Sequence, residues 1–339
     1  MLIFYISSSV IFLLITFFFY KISPKINLLD SPNKRKIHSG DIPLIGGIGI
    51  YFNILLFSFF LDISYEFKSV VYFSSILFIL SLADDSIELG VSFRLVTQFA
   101  CCLIIIGSGI QITNLGEYMY FSNIDIGLLS IAFTVFCVIG LTNAFNFIDG
   151  IDGLCAGLIL TSIFSIIIFS LFNNTLNQTD DFKLIFILII SIILFLFLNL
   201  TNYYKIFLGD SGSITLGFIL SWILIIFSQS EKEFFHPILT LWAVTLPVYD
   251  ISSVVIRRIL RGINPFKPDR RHVHHILLRL GVNNHYCLIL ILLSSIILNI
   301  SGFLIFYLFG PMPSLVSFLL FFMFYLYLMM FLSKKSFIR

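Results

Sequence analysis

Charge is what this chain has least of. Only 11% of its 339 residues are Asp, Glu, Lys or Arg, against about 25% in an average soluble domain. The 20 basic and 18 acidic residues nearly cancel, at a formal +2. That net charge implies nothing about nucleic acid, and no nucleic-acid partner is expected. The five cysteines (Cys101, Cys102, Cys137, Cys155, Cys287) lie in or beside apolar runs and form no CxxC pair. That excludes a disulfide framework and a thiolate metal site, and leaves them as small core residues. The first apolar run lacks a basic leading segment and an A-x-A-like site, so a retained helix is expected there rather than a cleaved signal peptide. There is no internal repeat and no polar block of domain size. A single transmembrane domain over 1–339, with no separate soluble domain, is the expectation.

What is present is hydrophobic sequence, 59% of the chain with 41 phenylalanines. A hydrocarbon core of about 30 Å takes about 20 helical residues. Eleven runs qualify: Leu2–Tyr20, Pro43–Leu61, Ser69–Ala83, Phe93–Thr113, Ile124–Leu141, Gly153–Phe172, Phe182–Asn199, Ile214–Phe227, Pro237–Ile256, Tyr286–Phe306 and Met312–Leu332. The third and eighth are short and need the polar stretches beside them. An all-α, polytopic membrane protein of about 11 transmembrane helices is expected. Eleven spans put 17 of the 20 basic residues on one side and only Lys68, Lys183 and Lys232 on the other. The positive-inside rule makes the first side cytoplasmic, with the N-terminus outside and the C-terminus in the cytoplasm.

The polar clusters fall on that same side. The central one is Asn143-Ala-Phe-Asn-Phe-Ile-Asp-Gly-Ile-Asp-Gly-Leu154. One Asp at a helix centre costs roughly 2.5–3.5 kcal/mol in a bilayer, so Asp149 and Asp152 need a purpose or a wet position. Asn146, Asp149 and Asp152 are spaced i,i+3 and would share one side of a helical turn. Gly150 and Gly153 would leave room for a ligand to approach the backbone. The plainer reading is a polar helix cap. Asp84-Asp85 closes the third run. Two adjacent carboxylates repel unless a proton or a hard cation lies between them, and a hydrated helix end is the alternative.

Leu208-Gly-Asp-Ser-Gly-Ser213 opens the eighth run. Its residues suit a helix N-cap, an anion at the helix N-terminus, or a metal held by Asp210. Asp269-Arg-Arg-His-Val-His-His275 follows two prolines that stop a helix. A short helix over Arg270 to Leu280 would put His272 and His275 on one face. No cysteine is near and arginines adjoin, so Arg and His here suit a phosphate rather than zinc. A lipid head-group phosphate would meet Lys34, Arg35 or Lys36 in the first cytoplasmic loop, and charges that only set the topology are the alternative. The outer pair Asp180-Asp181 reads as solvated loop. Carboxylates with a divalent ion and Arg/Lys are the equipment of phosphoryl transfer. A secondary transporter, with carboxylates near the midplane, is the rival of another class, and a non-catalytic membrane scaffold a third.

With these segments in hand, the sequence resembles the polyprenyl-phosphate N-acetylhexosamine-1-phosphate transferases, the group of the MraY- and WecA-type enzymes. The resemblance rests on Asp84-Asp85, Asn143-x-x-Asn146-x-x-Asp149-Gly-x-Asp152-Gly-Leu154, Gly209-Asp210-x-Gly-Ser213, Pro268-Asp-Arg-Arg-His-Val-His-His275 and Asp30-x-Pro-x-x-Arg35-Lys36-x-His38. They occur in the family's order over most of the chain. The His-x-His-His form, with Pro247-x-x-Asp250 and Arg257-Arg258, looks like the WecA-type branch. Val273 interrupts the three consecutive histidines usual in the branch that takes UDP-MurNAc-pentapeptide, which remains the alternative.

The resemblance implies transfer of a sugar-1-phosphate, by default GlcNAc-1-phosphate, from a UDP-N-acetylhexosamine to undecaprenyl phosphate. UMP is released and envelope-polysaccharide synthesis begins. It implies Mg²⁺ or Mn²⁺, the bacterial inner membrane with a cytoplasmic active site, and admits a homodimer. It assigns Asp210 and Asn146 to the metal. Asp84 and Asp85 become base, metal ligand or nucleophile, with Asp149, His274 and His275 beside them as catalytic candidates. Asn143, Asp152, Arg270, Arg271 and His272 are assigned to the donor, and Lys36 to the lipid phosphate.

Overall fold

The structure, a computed structural model, describes residues 2–31, 40–87, 89–119, 122–173, 175, 180–201, 203–229, 234–264 and 271–336. Among these, thirteen α-helices run in the order α1 (Leu2–Ile22), α2 (Gly46–Ser58), α3 (Tyr65–Ile87), α4 (Val91–Gly107), α5 (Ser130–Ile148), α6 (Leu154–Phe172), α7 (Asp181–Leu200), α8 (Gly209–Gln229), α9 (Ile238–Ala243), α10 (Thr245–Ile259), α11 (Val273–Arg279), α12 (Asn284–Phe309) and α13 (Pro311–Ser336). The only sheet among them is a two-residue pair, β1 (Leu29–Asp30) antiparallel to β2 (Ile42–Pro43). The fold is all-α.

Every apolar run of the sequence falls on a helix. Eight helices (α1, α3, α5, α6, α7, α8, α12 and α13) are long and apolar enough to cross a membrane. The two short runs lengthen as they needed to. α3 continues through Asp84-Asp85, and α8 begins at Gly209. α2 and α4 are shorter, at 13 and 17 residues. The ninth run is broken at Val244 into α9 and α10. Pro247 is the cause: without an N–H it cannot bond the Ala243 carbonyl four residues back, and its ring crowds that carbonyl.

The described residues form two compact units. One comprises Met1–Gln111, Ile131–Thr142 and Leu176–Ile226. Within it α2 packs on α1 and α7, and α3 on α4. Asn53 Nδ2 donates to Ser8 Oγ at 2.9 Å and Ser191 Oγ at 2.7 Å, a buried polar tie joining α2 to α1 and α7 where apolar contact alone drives little association. The N-terminus of α2 is stitched to the segment entering α8: Gly46 N–H donates to the Phe207 carbonyl at 2.9 Å and Gly47 N–H to that of Leu208 at 3.0 Å. This fixes where α8 starts. Asp181 departs from the solvated-loop expectation. It is buried, and its Oδ1 accepts the Ser64 N–H at 2.8 Å, satisfying a donor just ahead of α3. Asp180 beside it pairs with Lys183 at 2.5 Å.

The other unit comprises Ile112–Ser130, Asn143–Thr175 and Phe227–Arg339. There α12 packs on α6 and α13, α9 on α6 and α12, α10 on α12 and α13, and α11 on α12 and α13.

Candidate functional site

In the first unit three acids and one arginine converge. Asp84 and Asp85 lie in the last turn of α3, α4 starts at Val91, and Arg94 lies in its first turn. Arg94 Nε is 2.5 Å from Asp84 Oδ2, and Nη1 is 2.6 Å from Asp210 Oδ2. Asp84 is buried, and its Oδ1 also accepts the Leu89 N–H. Asp85 lies across the start of α8: Oδ1 accepts Asp210 N–H at 2.8 Å and Oδ2 accepts Ser211 N–H at 3.0 Å. The anion at this helix N-terminus is thus the chain's own carboxylate, placed where free N–H groups and the helix dipole favour it. The sequence left open an N-cap from the Gly-Ser-Asp segment or an external anion; Asp85 fills that place.

Among the described residues, Asp84 and Asp210 share the Arg94 guanidinium, with Asp85 beside them at the start of α8. Mg²⁺ takes oxygen ligands and is held by one or two carboxylates plus phosphate and water. Asp84 and Asp210, already sharing one cation, fit that ion. Among the described residues no three His, Cys, Asp or Glu side chains are grouped to hold a metal.

In the second unit the amide and carboxylate stretch is a helix break. α5 ends at Ile148, and Asp149 is its C-cap at φ −74°, ψ 61°. Gly153 takes the left-handed conformation (φ 74°) that turns the chain into α6. Asn143 and Asn146 lie on the last turns of α5, half-buried, while Asp149 is exposed and Asp152 half-buried in the turn. Asn146, Asp149 and Asp152 therefore do not lie on one continuous helix, because α5 stops between the first and the second.

The histidine motif is held by α10. Asp250 Oδ2 lies 2.7 Å from His272 Nδ1, and Oδ1 accepts Val273 N–H at 2.9 Å and Tyr325 O–H at 3.2 Å. His272 is the N-cap of α11, with φ −64° and ψ 157°. It does not share a helical face with His275, as the spacing had led us to expect; its side chain is turned to Asp250. His274 is fully buried, and neither ring nitrogen has a hydrogen-bond partner among the described residues. A Cβ on Gly150 would collide with His274 Nε2. The Asp149–Gly153 turn and the histidine motif are in contact at that glycine. Burial first, and then the neighbouring His275, push the His274 ring down to about 3. It is neutral at physiological pH. His275 is half-buried, its ring centroid 4.0 Å from that of His274. Arg271 is half-buried, and its carbonyl accepts Arg257 Nη2 at 2.9 Å. Lys34, Arg35, Lys36, His38, Glu88, Asp269 and Arg270 lie outside the described residues.

Two residues escaped the sequence reading. Arg94 passed as one more cytoplasmic charge. Asp250 entered only as a mark of the branch, although an acid in an apolar run is costly for the same reason that singled out Asp149.

The sequence profile described as glycosyl transferase family 4 matches residues 67–228. The chain is 34% identical over 297 residues to the undecaprenyl-phosphate alpha-N-acetylglucosaminyl 1-phosphate transferase of Escherichia coli (strain K12), covering 86% of this chain and 80% of that one. The proteins of the same name from Yersinia pestis (32% over 291 residues, 83% and 78%) and Haemophilus influenzae (33% over 286 residues, 82% and 79%) are similar to it at the same level.

Proposed function

The chain belongs to glycosyl transferase family 4, on its WecA-type side, and from that membership we propose that this multi-pass membrane protein transfers N-acetylglucosamine 1-phosphate from UDP-GlcNAc to undecaprenyl phosphate. UMP leaves, and the lipid carries a diphosphate-linked sugar. The reaction runs at the cytoplasmic face of the inner membrane, where 17 of the 20 basic residues are counted by an eleven-span topology with the N-terminus outside. The relatives' names supply the sugar phosphate and the lipid acceptor. The Asp84–Arg94–Asp210 cluster carries the chemistry, being an acid-rich, hydrogen-bonded group that a phosphate-bound divalent ion would complete.

An oxygen of the lipid phosphate attacks the β-phosphorus in line with the departing UMP. A phosphate monoester with a second pKa of about 6 is largely ionised already, so this attack asks little of a base. Each Asp85 oxygen accepts an α8 amide, which supports a positioning role for Asp85. Asp84 and Asp210 would hold Mg²⁺, which when bound offsets the charge of the pyrophosphate. Arg94, between the same two carboxylates, holds them together and adds a cation for the transferred phosphate. Arg271 and the histidines are the residues that the family resemblance assigns to the donor. His274, neutral and buried, offers ring nitrogens without adding charge.

The test is UMP release by the detergent-purified protein with undecaprenyl phosphate, Mg²⁺ and a panel of UDP-sugars. Turnover with UDP-GlcNAc that stops in EDTA is the expected result. Turnover with another UDP-N-acetylhexosamine alone would change the donor. No UMP from any donor would overturn the reading.

A further inference from the structure

We propose that Asp250 is a positioning residue for the transfer, fixing the ring orientation and the tautomer of His272. The inference rests on the functional reading above, in which His272 meets the donor. Asp250 is 1% exposed. A carboxylate buried to that degree is very costly unless donors surround it, and three do. Val273 N–H and Tyr325 O–H donate to Oδ1, and His272 Nδ1 lies 2.7 Å from Oδ2.

An ionised carboxylate can only accept, so the proton between Oδ2 and Nδ1 belongs to the histidine. That leaves Nε2 as the working nitrogen of the ring. Two helical turns further along α10, Arg257 Nη2 holds the Arg271 carbonyl at 2.9 Å, while its Nε donates to the Ser253 carbonyl at 3.1 Å. α10 therefore grips the chain at three successive residues, Arg271 to Val273, just where the histidine motif begins. A partner that orients a working imidazole through its other nitrogen commonly matters for activity as much as for shape.

The purely structural alternative is that Asp250 serves only the Val273 N–H. Asp250→Asn separates the two. The amide oxygen still accepts from Val273, but the NH₂ group now faces Nδ1 and selects the opposite tautomer. The expected result is a fall of kcat by about 10–100-fold, with KM for undecaprenyl phosphate unchanged and the melting midpoint near that of the wild type. In a His272→Ala background the same substitution should have no further effect on kcat, the non-additivity of a pair acting as one unit. Wild-type kcat in Asp250→Asn, or independent multiplication of the two effects, would overturn the proposal. Should Asp250→Asn fail to fold, Tyr325→Phe decides, since it frees one side of the same carboxylate. A lower kcat at constant KM, absent in the His272→Ala background, supports the proposal, and an unchanged kcat contradicts it. Nitrogen-15 NMR of histidine-labelled protein, with His272 assigned by substitution, reads the tautomer without turnover. A protonated Nδ1 agrees with the proposal and an unprotonated one overturns it. A wild-type protein that released no UMP would sink the functional reading and leave this measurement standing.

Discussion

Asp85 accepts the backbone N–H of Asp210 at 2.8 Å and, through its other oxygen, that of Ser211 at 3.0 Å. An acid at the end of one helix thereby closes the start of another, and the helix it closes carries Asp210. Adjacent acids in the sequence take different roles. Asp84 faces Arg94, while Asp85 faces α8.

The consequence for stability is direct. Asp85→Ala uncaps α8 and should cost about 1–2 kcal/mol, read as a lower melting midpoint of the purified protein. Asp85→Asn, which retains one acceptor, should cost less. An alanine variant melting with the wild type would contradict the capping role.

Gly150 is the point where the Asp149–Gly153 turn touches His274. Gly150→Ala would drive a methyl group into the buried ring and should destabilise by about 1–3 kcal/mol, the usual cost of overpacking. Gly90→Ala is the control, because a Cβ there meets nothing within 4 Å. Equal melting midpoints for the two variants would show that His274 yields freely.

His274 predicts a pH dependence with a definite sign. Its folded value of about 3 lies below the ~6.5 of an unfolded histidine. Between those values the unfolded chain binds a proton that the folded chain refuses, so stability falls as pH drops through that window and is fully present above it. His275, Asp250 and His272 all act on the ring, but burial is the largest cause. Melting midpoints measured from neutral pH towards about pH 4 should fall less steeply in His274→Gln than in the wild type. Identical slopes would contradict a buried, neutral ring.

Helix positions were legible in the sequence because apolar runs of bilayer length have few other ways to satisfy their backbone. The polar segments were legible because acids and amides beside such runs are costly. Their partners were not. That Asp85 would serve the Asp210 amide depends on α3 and α8 meeting, 125 residues apart in sequence. Asp181 looked like loop because nothing local shows that Ser64 needs an acceptor. The i,i+3 pattern from Asn146 to Asp152 predicted a common face. The glycines in the same stretch instead gave the chain the freedom to leave the helix at Asp149. Pro247 was visible as a branch mark, and its breaking of the ninth run follows from its missing N–H.

The central claim is that the sugar moves together with its phosphate. UDP-GlcNAc carrying ³²P only at the β-position tests this most directly, with undecaprenyl phosphate as acceptor and extraction of the lipid product. The account predicts that the label enters the lipid fraction, with unlabelled UMP in the aqueous phase, and that Asp210→Ala abolishes the transfer. Label recovered as UDP, with the sugar alone on the lipid, would contradict it.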